Sequence, residues 1–417
     1  MVVMAVEADR LRLARDGGPR ARSRSEPPMF PGGMEVGEEE LAAAERVIRS
    51  KNLYRHYGVG EGPGEVDTFE REFAAFTGAR HALCVNGGSS ALICGLIGAG
   101  VRAGDEVIIP AYTWNATPNA VLASGALPVL AEVDESLTLD PDDVEQKLTP
   151  RTKAILPVHM RGAPADMGAL AALAERHGLA LVEDVCQAAG ASIAGRRLGT
   201  FGDAGAFSLQ FNKIITTGEG GVMITDRTDL YELALDVHDC AGSWRRGAGL
   251  PRYPGWNFRA SELVGAIGRV QLGRLDGLLE RMRANHERLA EEVSALPGLT
   301  LRRANAPAGD EGGDACVALI AFTETASLAR EAVAALQAEG VLALQIYSPD
   351  VIDLHVYPYW QPVLDAVAAA GASAPECPRT LDLLGRAVHV DVSPLLDEQD
   401  LEEIALAFRK VATNVLA

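Results

Sequence analysis

Long apolar runs are missing from this sequence, and no segment approaches the roughly 20 residues that a helix needs to cross a bilayer. Positive charge is also in deficit: 38 lysines and arginines face 57 aspartates and glutamates, which gives a formal net charge of −19 at pH 7. An acidic surface of this kind argues against nucleic acids and anionic membranes as partners. The sequence therefore predicts a protein that binds neither.

Cysteine is scarce and scattered, and no CxxC pair occurs among the six cysteines. Several of them lie inside apolar runs, which is typical of buried thiols in a reducing compartment and not of a disulfide framework. The first 28 residues are rich in arginine and lack the apolar core of a signal peptide. We therefore expect a mobile tail or a mis-called start over residues 1–28, followed by a cytoplasmic protein.

What the sequence does have is a large apolar fraction, 48% of 417 residues, which is enough for about two domains. Seven short apolar segments alternate with helical segments in its first half, and this pattern predicts a mainly parallel sheet covered on both faces, in one large α/β domain. The predicted strands are His81–Val85, Glu106–Pro110, Leu127–Val133, Lys153–Val158, Leu179–Glu183, Gly205–Leu209 and Val222–Thr225.

The pattern changes after Glu262, where a long amphipathic stretch runs from Ser261 to about Leu296 with an expected break near Asp276. Shorter strands and helices follow it, which predicts a smaller α+β domain. We place the large domain at residues 29–275 and the small domain at residues 276–417. The predicted elements of the small domain are strands near Val317–Phe322, Ala343–Ile346 and Ala387–Val392, and helices at Ser327–Glu339 and Asp397–Val411.

One lysine, Lys213, lies in the turn between the last two predicted strands of the large domain, ahead of a glycine-rich corner at Gly218–Gly221. A buried ammonium is unfavourable unless it is paired or deprotonated. Schiff-base formation with a carbonyl cofactor is one role that uses such a lysine. From this segment alone, a solvated lysine on a surface hairpin is the simpler interpretation.

Three other strand ends carry side chains that suit a flat, phosphorylated ligand. The turn Gly88-Ser89-Ser90 opens a helix, where free amides can bind an anion, although such turns are also small for steric reasons alone. Asp184 ends a strand and either keeps a pyridinium nitrogen protonated or caps the next helix. Trp114 also follows a strand and either stacks on a ring or belongs to the core.

Two further patterns resemble binding motifs and are rejected. The segment Gly98–Gly104 has the wrong spacing for a dinucleotide fingerprint and precedes a strand, whereas the fingerprint opens a helix. His238-Asp239-Cys240 lacks a second pair of ligands at metal-binding spacing. The sequence therefore predicts no metal site.

Five ordered blocks carry a family resemblance that runs from about Val36 to the C-terminus. They are Gly104–Pro110, Glu183–Ala188, Gly199–Asp203, Ser208–Gly221 and Asn257–Glu262. Together they resemble the pyridoxal-phosphate-dependent aminotransferases of fold type I, and within these the DegT/DnrJ/StrS group, which aminates keto-sugars and keto-cyclitols. The resemblance implies a seven-stranded, mainly parallel sheet in a three-layer sandwich, beside a smaller C-terminal α+β domain.

The resemblance also implies residue roles around pyridoxal 5′-phosphate. Lys213 would hold the cofactor covalently and then move the proton between Cα and C4′. Asp184 would pair with the pyridine nitrogen, Gln187 would lie near the ring hydroxyl, and Trp114 would cover the ring. Asn257 would reach the phosphate of the neighbouring subunit, which implies a homodimer with shared active sites. The residues implied to bind the phosphate are Gly88, Ser89, Ser90 and Ser208.

Two positions bear on the reaction. Gln210 stands where many nucleotide-sugar members have His or Tyr, and in this it is similar to aminocyclitol- and aminobenzoate-forming members, which use glutamine or glutamate as donor. Lys213 is present, whereas the sugar 3-dehydratases of the family have His there. We therefore expect amino transfer from L-glutamine or L-glutamate to a keto-sugar or keto-cyclitol, in natural-product biosynthesis of the amino-sugar, aminocyclitol or aminoglycoside antibiotic type.

Candidate substrate-binding residues are His159, Arg161 and Tyr347, from loops near the expected cofactor. Arg161 is a candidate for binding a phosphate on the substrate, although loop arginines are more often solvated. Two alternatives stay open at this point. One is a pyridoxal enzyme on the same fold that eliminates water or modifies an amino acid, and the other is a regulatory protein without activity.

Overall fold

The computed structural model describes residues 10–25, 27, 29, 31–57, 64–305, 313–372 and 375–416. The strands are β1 (His81–Val85), β2 (Glu106–Pro110), β3 (Leu127–Ala131), β4 (Thr152–Ile155), β5 (Ala180–Asp184), β6 (Ser192–Ile193), β7 (Arg196–Arg197), β8 (Ala204–Ser208), β9 (Gly221–Thr225), β10 (Thr300–Leu301), β11 (Ala318–Phe322), β12 (Ala343–Gln345) and β13 (Ala387–Asp391). The α-helices are α1 (Pro31–Met34), α2 (Glu38–Ser50), α3 (Glu65–Thr77), α4 (Gly88–Gly98), α5 (Ala116–Ala123), α6 (Pro141–Gln146), α7 (Met167–His177), α8 (Thr228–His238), α9 (Gly242–Arg245), α10 (Glu262–Ser294), α11 (Ala326–Glu339), α12 (Gln361–Ala369), α13 (Pro378–Arg386) and α14 (Glu398–Val411).

The larger sheet has seven strands in the order β1-β9-β8-β5-β4-β2-β3. The five strands from β8 to β3 pair in parallel, and β9 runs antiparallel to both of its neighbours, β8 and β1. Every residue of β2, β5, β8 and β9 is buried, which explains why these strands are continuous apolar runs without alternation. The predicted mainly parallel, seven-stranded sheet is confirmed.

Both faces of this sheet are covered. Successive residues of β8 point to opposite faces, and Ala206 packs with the residues of α4 while Phe207 packs with Phe73 of α3. The same alternation holds in β9, where Met223 faces one side and Val222 the other. The result is a three-layer arrangement with the sheet in the middle, as the resemblance implied.

The smaller sheet has the order β10-β11-β13-β12, with all neighbours antiparallel. It is connected to the large domain by α10, which is one continuous helix from Glu262 to Ser294, so the expected break near Asp276 is wrong. Its buried residues Leu272, Leu275 and Leu279 continue at helical spacing through that point, and their packing keeps the helix intact. The domain division at residues 275/276 falls inside this helix and stays a prediction.

Residues 10–25 pack against the small domain, which differs from the expectation of a mobile tail. Leu13 is buried, and the buried Arg22 forms an ion pair of 2.9 Å with Asp400 of α14. The remainder of that expected tail, residues 1–9, 26 and 28, lies outside the described residues. In the part of the chain that the structure describes, no helix has both the length and the apolar character needed to span a bilayer.

Candidate active site

A cavity of about 500 Å³ lies where β5 and β8 end and α4 begins. This is the edge of a parallel sheet at which ligands bind in open α/β folds. Most of the residues singled out from the sequence meet there. The predicted site residues that line the cavity are Gly88, Ser89, Trp114, Arg161, Asp184, Gln187, Ser208 and Lys213.

Lys213 enters the cavity from the turn between β8 and β9. Its main-chain N–H donates to the carbonyl of Gln210 at 2.9 Å, and Thr216 fixes the end of the turn by donating from its hydroxyl to the carbonyl of Leu209 at 3.0 Å. The lysine is half-buried, and within the described residues no carboxylate lies within ion-pair distance of it. The structure therefore places this amine inside a ligand cavity and not on a solvated hairpin.

Asp184 is the last residue of β5 and is only 4% exposed. Its Oδ2 accepts a hydrogen bond from the Thr117 hydroxyl at 2.9 Å, and its Oδ1 accepts from the main-chain N–H of Cys186 at 3.1 Å. Residues 185–191, all of them described, form turns and no helix, so Asp184 does not cap a helix. Its carboxylate is fixed and faces the cavity, where it can accept from a cationic ring nitrogen.

The start of α4 forms a cradle for an anion. Gly87 offers no side-chain cap to this 11-residue helix, so its first amides have no side-chain partner and the helix dipole favours a negative group there. A Cβ atom on Gly88 would lie 2.8 Å from Cβ of Ser208, so only glycine lets the helix start approach β8 this closely. Ser90 does not line the cavity, because its hydroxyl donates to Asn86 Oδ1 at 2.7 Å.

Trp114 and Gln187 complete the walls. Trp114 is 42% exposed, and its ring centroid lies 4.8 Å from that of His355, so it belongs to the cavity surface and not to the core. The Oε1 atom of Gln187 accepts from the main-chain N–H of Arg161 at 3.1 Å. This contact leaves the NH₂ group of Gln187 as the donor that it can offer to a ligand.

Besides Ser90, three of the predicted site residues do not line the cavity. His159 is fully buried: its Nδ1 accepts from the N–H of Ala165 at 3.1 Å, so Nε2 carries the proton and donates to Glu183 at 3.2 Å. It supports the end of β5 and does not line the cavity. Tyr347 packs beside Tyr359, and Asn257 lies near Asn86, both outside the residues that line the cavity.

Sequence reasoning missed several residues that line the cavity. Thr117 and Cys186 lie next to Asp184, and His355 comes from the segment that follows the candidate substrate residue Tyr347. Asp391 ends β13 of the small domain. A carboxylate at a predicted strand end is the signal that singled out Asp184, and the same signal was present for Asp391.

The electrostatics of the cavity argue against one other kind of chemistry, which is attack by a cysteine nucleophile. Burial, reinforced by the charge of Asp184, raises the pKa of the Cys186 thiol well above its ordinary value, so this thiol is not a thiolate nucleophile. No group of three metal-ligating side chains occurs among the described residues. The cavity thus combines an amine, a fixed carboxylate and an anion cradle.

The model of one protein family matches residues 35–409, and that family is the DegT/DnrJ/EryC1/StrS aminotransferase family. The chain belongs to this family. The N-terminal segment that packs on the small domain precedes the matched residues.

Known relatives of this aminotransferase include two curated proteins. The spore coat polysaccharide biosynthesis protein SpsC of Bacillus subtilis (strain 168) is 32% identical over 90% of this chain and 95% of its own. The L-glutamine:2-deoxy-scyllo-inosose aminotransferase of Micromonospora echinospora is 36% identical over 83% of this chain and 87% of its own. Among solved structures, S. venezuelae DesV in complex with a ketimine intermediate is 35% identical, with a TM-score of 0.76 over 90% of this chain and 95% of that chain.

The aminotransferase is therefore a pyridoxal-5′-phosphate-dependent enzyme of fold type I that takes an amino donor and a keto acceptor. The residues present fit that cofactor. The start of α4 at Gly88 approaches β8 closely only because no Cβ is there, which brings its free amides into the cavity, and Asp184 lines the same cavity as the amine of Lys213.

Proposed function

We propose that the enzyme transfers an amino group from L-glutamine or L-glutamate to the ketone of a keto-sugar or keto-cyclitol, on a route to an amino sugar, an aminocyclitol or an aminoglycoside antibiotic. The observation that carries this proposal is the amine of Lys213 in one cavity with the fixed carboxylate of Asp184. The names of the relatives support the substrate class, since one acts on an inosose and the other serves polysaccharide biosynthesis.

Each residue of the cavity has a distinct role in this proposal. When bound, pyridoxal phosphate supplies an electron sink for the carbanion that forms at the substrate carbon. Lys213 holds the cofactor covalently and carries the proton with its ε-nitrogen. Asp184 presents its charge to the ring nitrogen, and Thr117 keeps that carboxylate oriented. Trp114 covers the ring face. The phosphate is held by Gly88, Ser89 and Ser208, which line the cavity, whereas Ser90 supports the turn through its hydrogen bond to Asn86.

The enzyme works as a homodimer with shared sites in this proposal. Asn257 does not line the cavity of its own chain. Large apolar side chains around it are exposed, among them Trp256 and, on the loop before it, Trp244 and Leu250, the last at 83%. An apolar surface of this kind favours burial against a partner. A second copy that covers it would bring Asn257 toward the phosphate cradle of the first copy.

Subunit complementation tests the shared site. Lys213→Ala and Asn257→Ala should each lose activity, and mixing the two variants under conditions of subunit exchange should restore part of it. A hybrid dimer has one site with both substitutions and one with neither. A strictly monomeric preparation that is fully active would contradict the dimer.

The donor half-reaction tests the function itself. Adding L-glutamine or L-glutamate to the enzyme loaded with cofactor should bleach the cofactor absorption band, and a keto-cyclitol or keto-sugar should then restore the band. If no amino acid changes the spectrum, the proposal fails. Ammonia or a deoxy product without amino transfer would indicate the eliminating enzyme that was the alternative from the sequence.

We also propose that the enzyme is cytoplasmic. All six cysteines are free thiols, and four of them are buried. Free thiols of this kind suit a reducing compartment.

A further inference from the structure

Two side chains on the cavity wall carry opposite charges and have no role in the chemistry described so far. Arg161 comes from the 3₁₀ turn Met160–Gly162 between β4 and α7, and Asp391 is the last residue of β13 in the small domain. Both line the same cavity as Lys213. A substrate bound at that amine therefore meets one cation and one anion contributed by different domains.

The main chain holds Arg161 firmly in place. Its φ of 52° and ψ of 38° are left-handed, a conformation that costs a non-glycine residue about 1–3 kcal/mol and is concentrated at ligand sites. Its N–H donates to Gln187 at 3.1 Å, and its carbonyl accepts from Arg302 at 3.4 Å. Arg302 is itself paired with Asp314 at 2.8 Å. The main chain of Arg161 is thus held on both sides by its surroundings.

The guanidinium of Arg161 has little to bind. Its Nε donates to the Tyr112 hydroxyl over a long 3.5 Å, and no carboxylate of the described residues lies within 4 Å of it. Burial disfavours the charge of this guanidinium, and Asp391 and Asp353 support that charge only from beyond ion-pair distance. A carboxylate from a ligand would relieve the cost of burial through paired, charge-assisted hydrogen bonds. The site is therefore built for an anion.

The carboxylate of Asp391 determines which kind of anion can bind to Arg161 in this cavity. Burial raises the pKa of Asp391, and the charge of Arg161 opposes that rise. His389, whose Nε2 lies 3.4 Å from Asp391 Oδ1, adds no positive charge, because burial lowers its pKa well below the ordinary value. Burial also lowers the pKa of His355, against the opposing hydrogen bond to Asp353. A phosphate dianion on the substrate, which the sequence had suggested for Arg161, would face Asp391 and is disfavoured.

We propose that Arg161 binds the α-carboxylate of the amino donor and that Asp391 accepts a hydrogen bond from its side-chain amide, so that the cavity selects L-glutamine over L-glutamate. This inference rests on the proposed function and adds the identity of the donor. The amide of glutamine donates to a carboxylate. The second carboxylate of glutamate has no donor to offer and repels Asp391.

The donor half-reaction, followed by bleaching of the cofactor band, separates the two residues. The wild type should prefer L-glutamine in kcat/KM by roughly tenfold or more, the scale of one charge-assisted hydrogen bond. Asp391→Asn should remove that preference, because an amide can donate to glutamate. Arg161→Gln should raise KM for both donors by about 10–100-fold and keep the preference. The matched control is Asp350→Asn at an exposed site outside the cavity, which should leave all values unchanged.

A binding measurement on the cofactor-free protein needs no turnover. Calorimetry should show that glutaramate, with one carboxylate and one amide, binds the wild type more tightly than glutarate, with two carboxylates. Asp391→Asn should abolish that difference, and Arg161→Gln should weaken both ligands. Circular dichroism and thermal unfolding verify that each variant is folded.

The outcomes that overturn the inference are distinct from those that overturn the function. If neither donor bleaches the cofactor band of the wild type, the proposed function fails. If both donors bleach that band equally well, or if Asp391→Asn keeps the preference for L-glutamine, the donor assignment alone is wrong. If Arg161→Gln raises KM only for the keto acceptor in the second half-reaction, Arg161 binds a carboxylate of the acceptor, which also overturns the assignment.

Discussion

Two clusters of charge, one buried and one lining a cavity, lie in different parts of the molecule, and they are built on opposite principles. The closed cluster joins the N-terminal segment to the small domain and consists of Arg22, Glu339, Asp400 and Lys410. The open cluster lines the active-site cavity and consists of Arg161, Asp184, Lys213 and Asp391. Each holds two positive and two negative residues, so charge balance alone does not distinguish them.

Every member of the closed cluster has a partner at hydrogen-bond or ion-pair distance. Lys410 and Glu339, both 0% exposed, bind each other, and Lys410 also donates to the carbonyl of Pro19. Glu339 further accepts from the N–H of Ala14 at 2.6 Å. Groups satisfied in this way contribute to stability, and removing one partner leaves an uncompensated charge in the interior.

The members of the open cluster face the cavity and are only partly satisfied. Asp184 has two neutral donors, and within the described residues no carboxylate lies within 4 Å of Arg161 or Lys213. The charged groups that have no protein partner are therefore available to a ligand in the cavity. The comparison teaches that missing partners, more than burial, mark the charges that serve function.

Replacing Lys213 with alanine is the largest test of this contrast. We expect kcat to fall by about 10³–10⁴-fold or more, because the variant loses both the covalent attachment and the proton carrier. Its urea midpoint should stay close to that of the wild type, since no partner in the described residues loses an ion pair. Borohydride trapping and peptide mapping should place the cofactor adduct on Lys213 of the wild type and on no residue of the variant.

The control for this experiment is Lys147→Ala, which changes a lysine outside the cavity and should keep full activity. An adduct found on any other lysine of the wild type would remove the basis of the open cluster.

Replacing Lys410 with methionine tests the closed cluster. We expect the free energy of unfolding to drop by about 3–5 kcal/mol, because Glu339 is left buried without its cation. Activity per folded molecule should be unchanged. The measurement is urea unfolding followed by fluorescence. The adjacent Arg409→Met is the matched control: its pair with Glu292 is partly exposed to solvent and should be worth about 1 kcal/mol. Equal losses in both variants would contradict the comparison.

The large sheet and the open cluster were accessible to sequence reasoning for a physical reason. Strands buried on both faces are continuous apolar runs, so the predicted bounds of all seven agree with the structure to within a few residues. Asp184 ends such a run, and Lys213 lies in the turn between two of them, which made both visible as polar residues beside buried strands. Local pattern and tertiary position agree there.

The closed cluster was not accessible, because its pairs join residues far apart in the chain. Arg22 and Asp400 are an ordinary arginine and aspartate in sequence, and no local periodicity connects them. The predicted break of α10 near Asp276 was wrong for a related reason, since packing of its apolar stripe overrides weak helix propensity. His159 was expected to contact the substrate, and only the fold shows that it is buried and hydrogen-bonded to Glu183.

Thr117→Val tests the smallest effect, which is the orientation of one member of the open cluster. The change keeps the shape of the side chain and removes the 2.9 Å hydrogen bond to Asp184. A hydrogen bond of this kind contributes about 0.5–1.5 kcal/mol, so kcat should fall by roughly two- to tenfold. The hydroxyl of Thr113 would also lose its 2.8 Å partner.

A purely structural threonine would lower stability and leave kcat alone, so both must be measured on the same preparation. Thr113→Val, one hydrogen bond further from Asp184, should affect kcat less than Thr117→Val if orientation of the carboxylate is what matters. If the two variants lose stability equally and neither changes kcat, the remaining hydrogen bond from Cys186 is sufficient to fix Asp184. Thr117 would then serve stability alone, and the main-chain N–H of Cys186 would be the donor that orients Asp184.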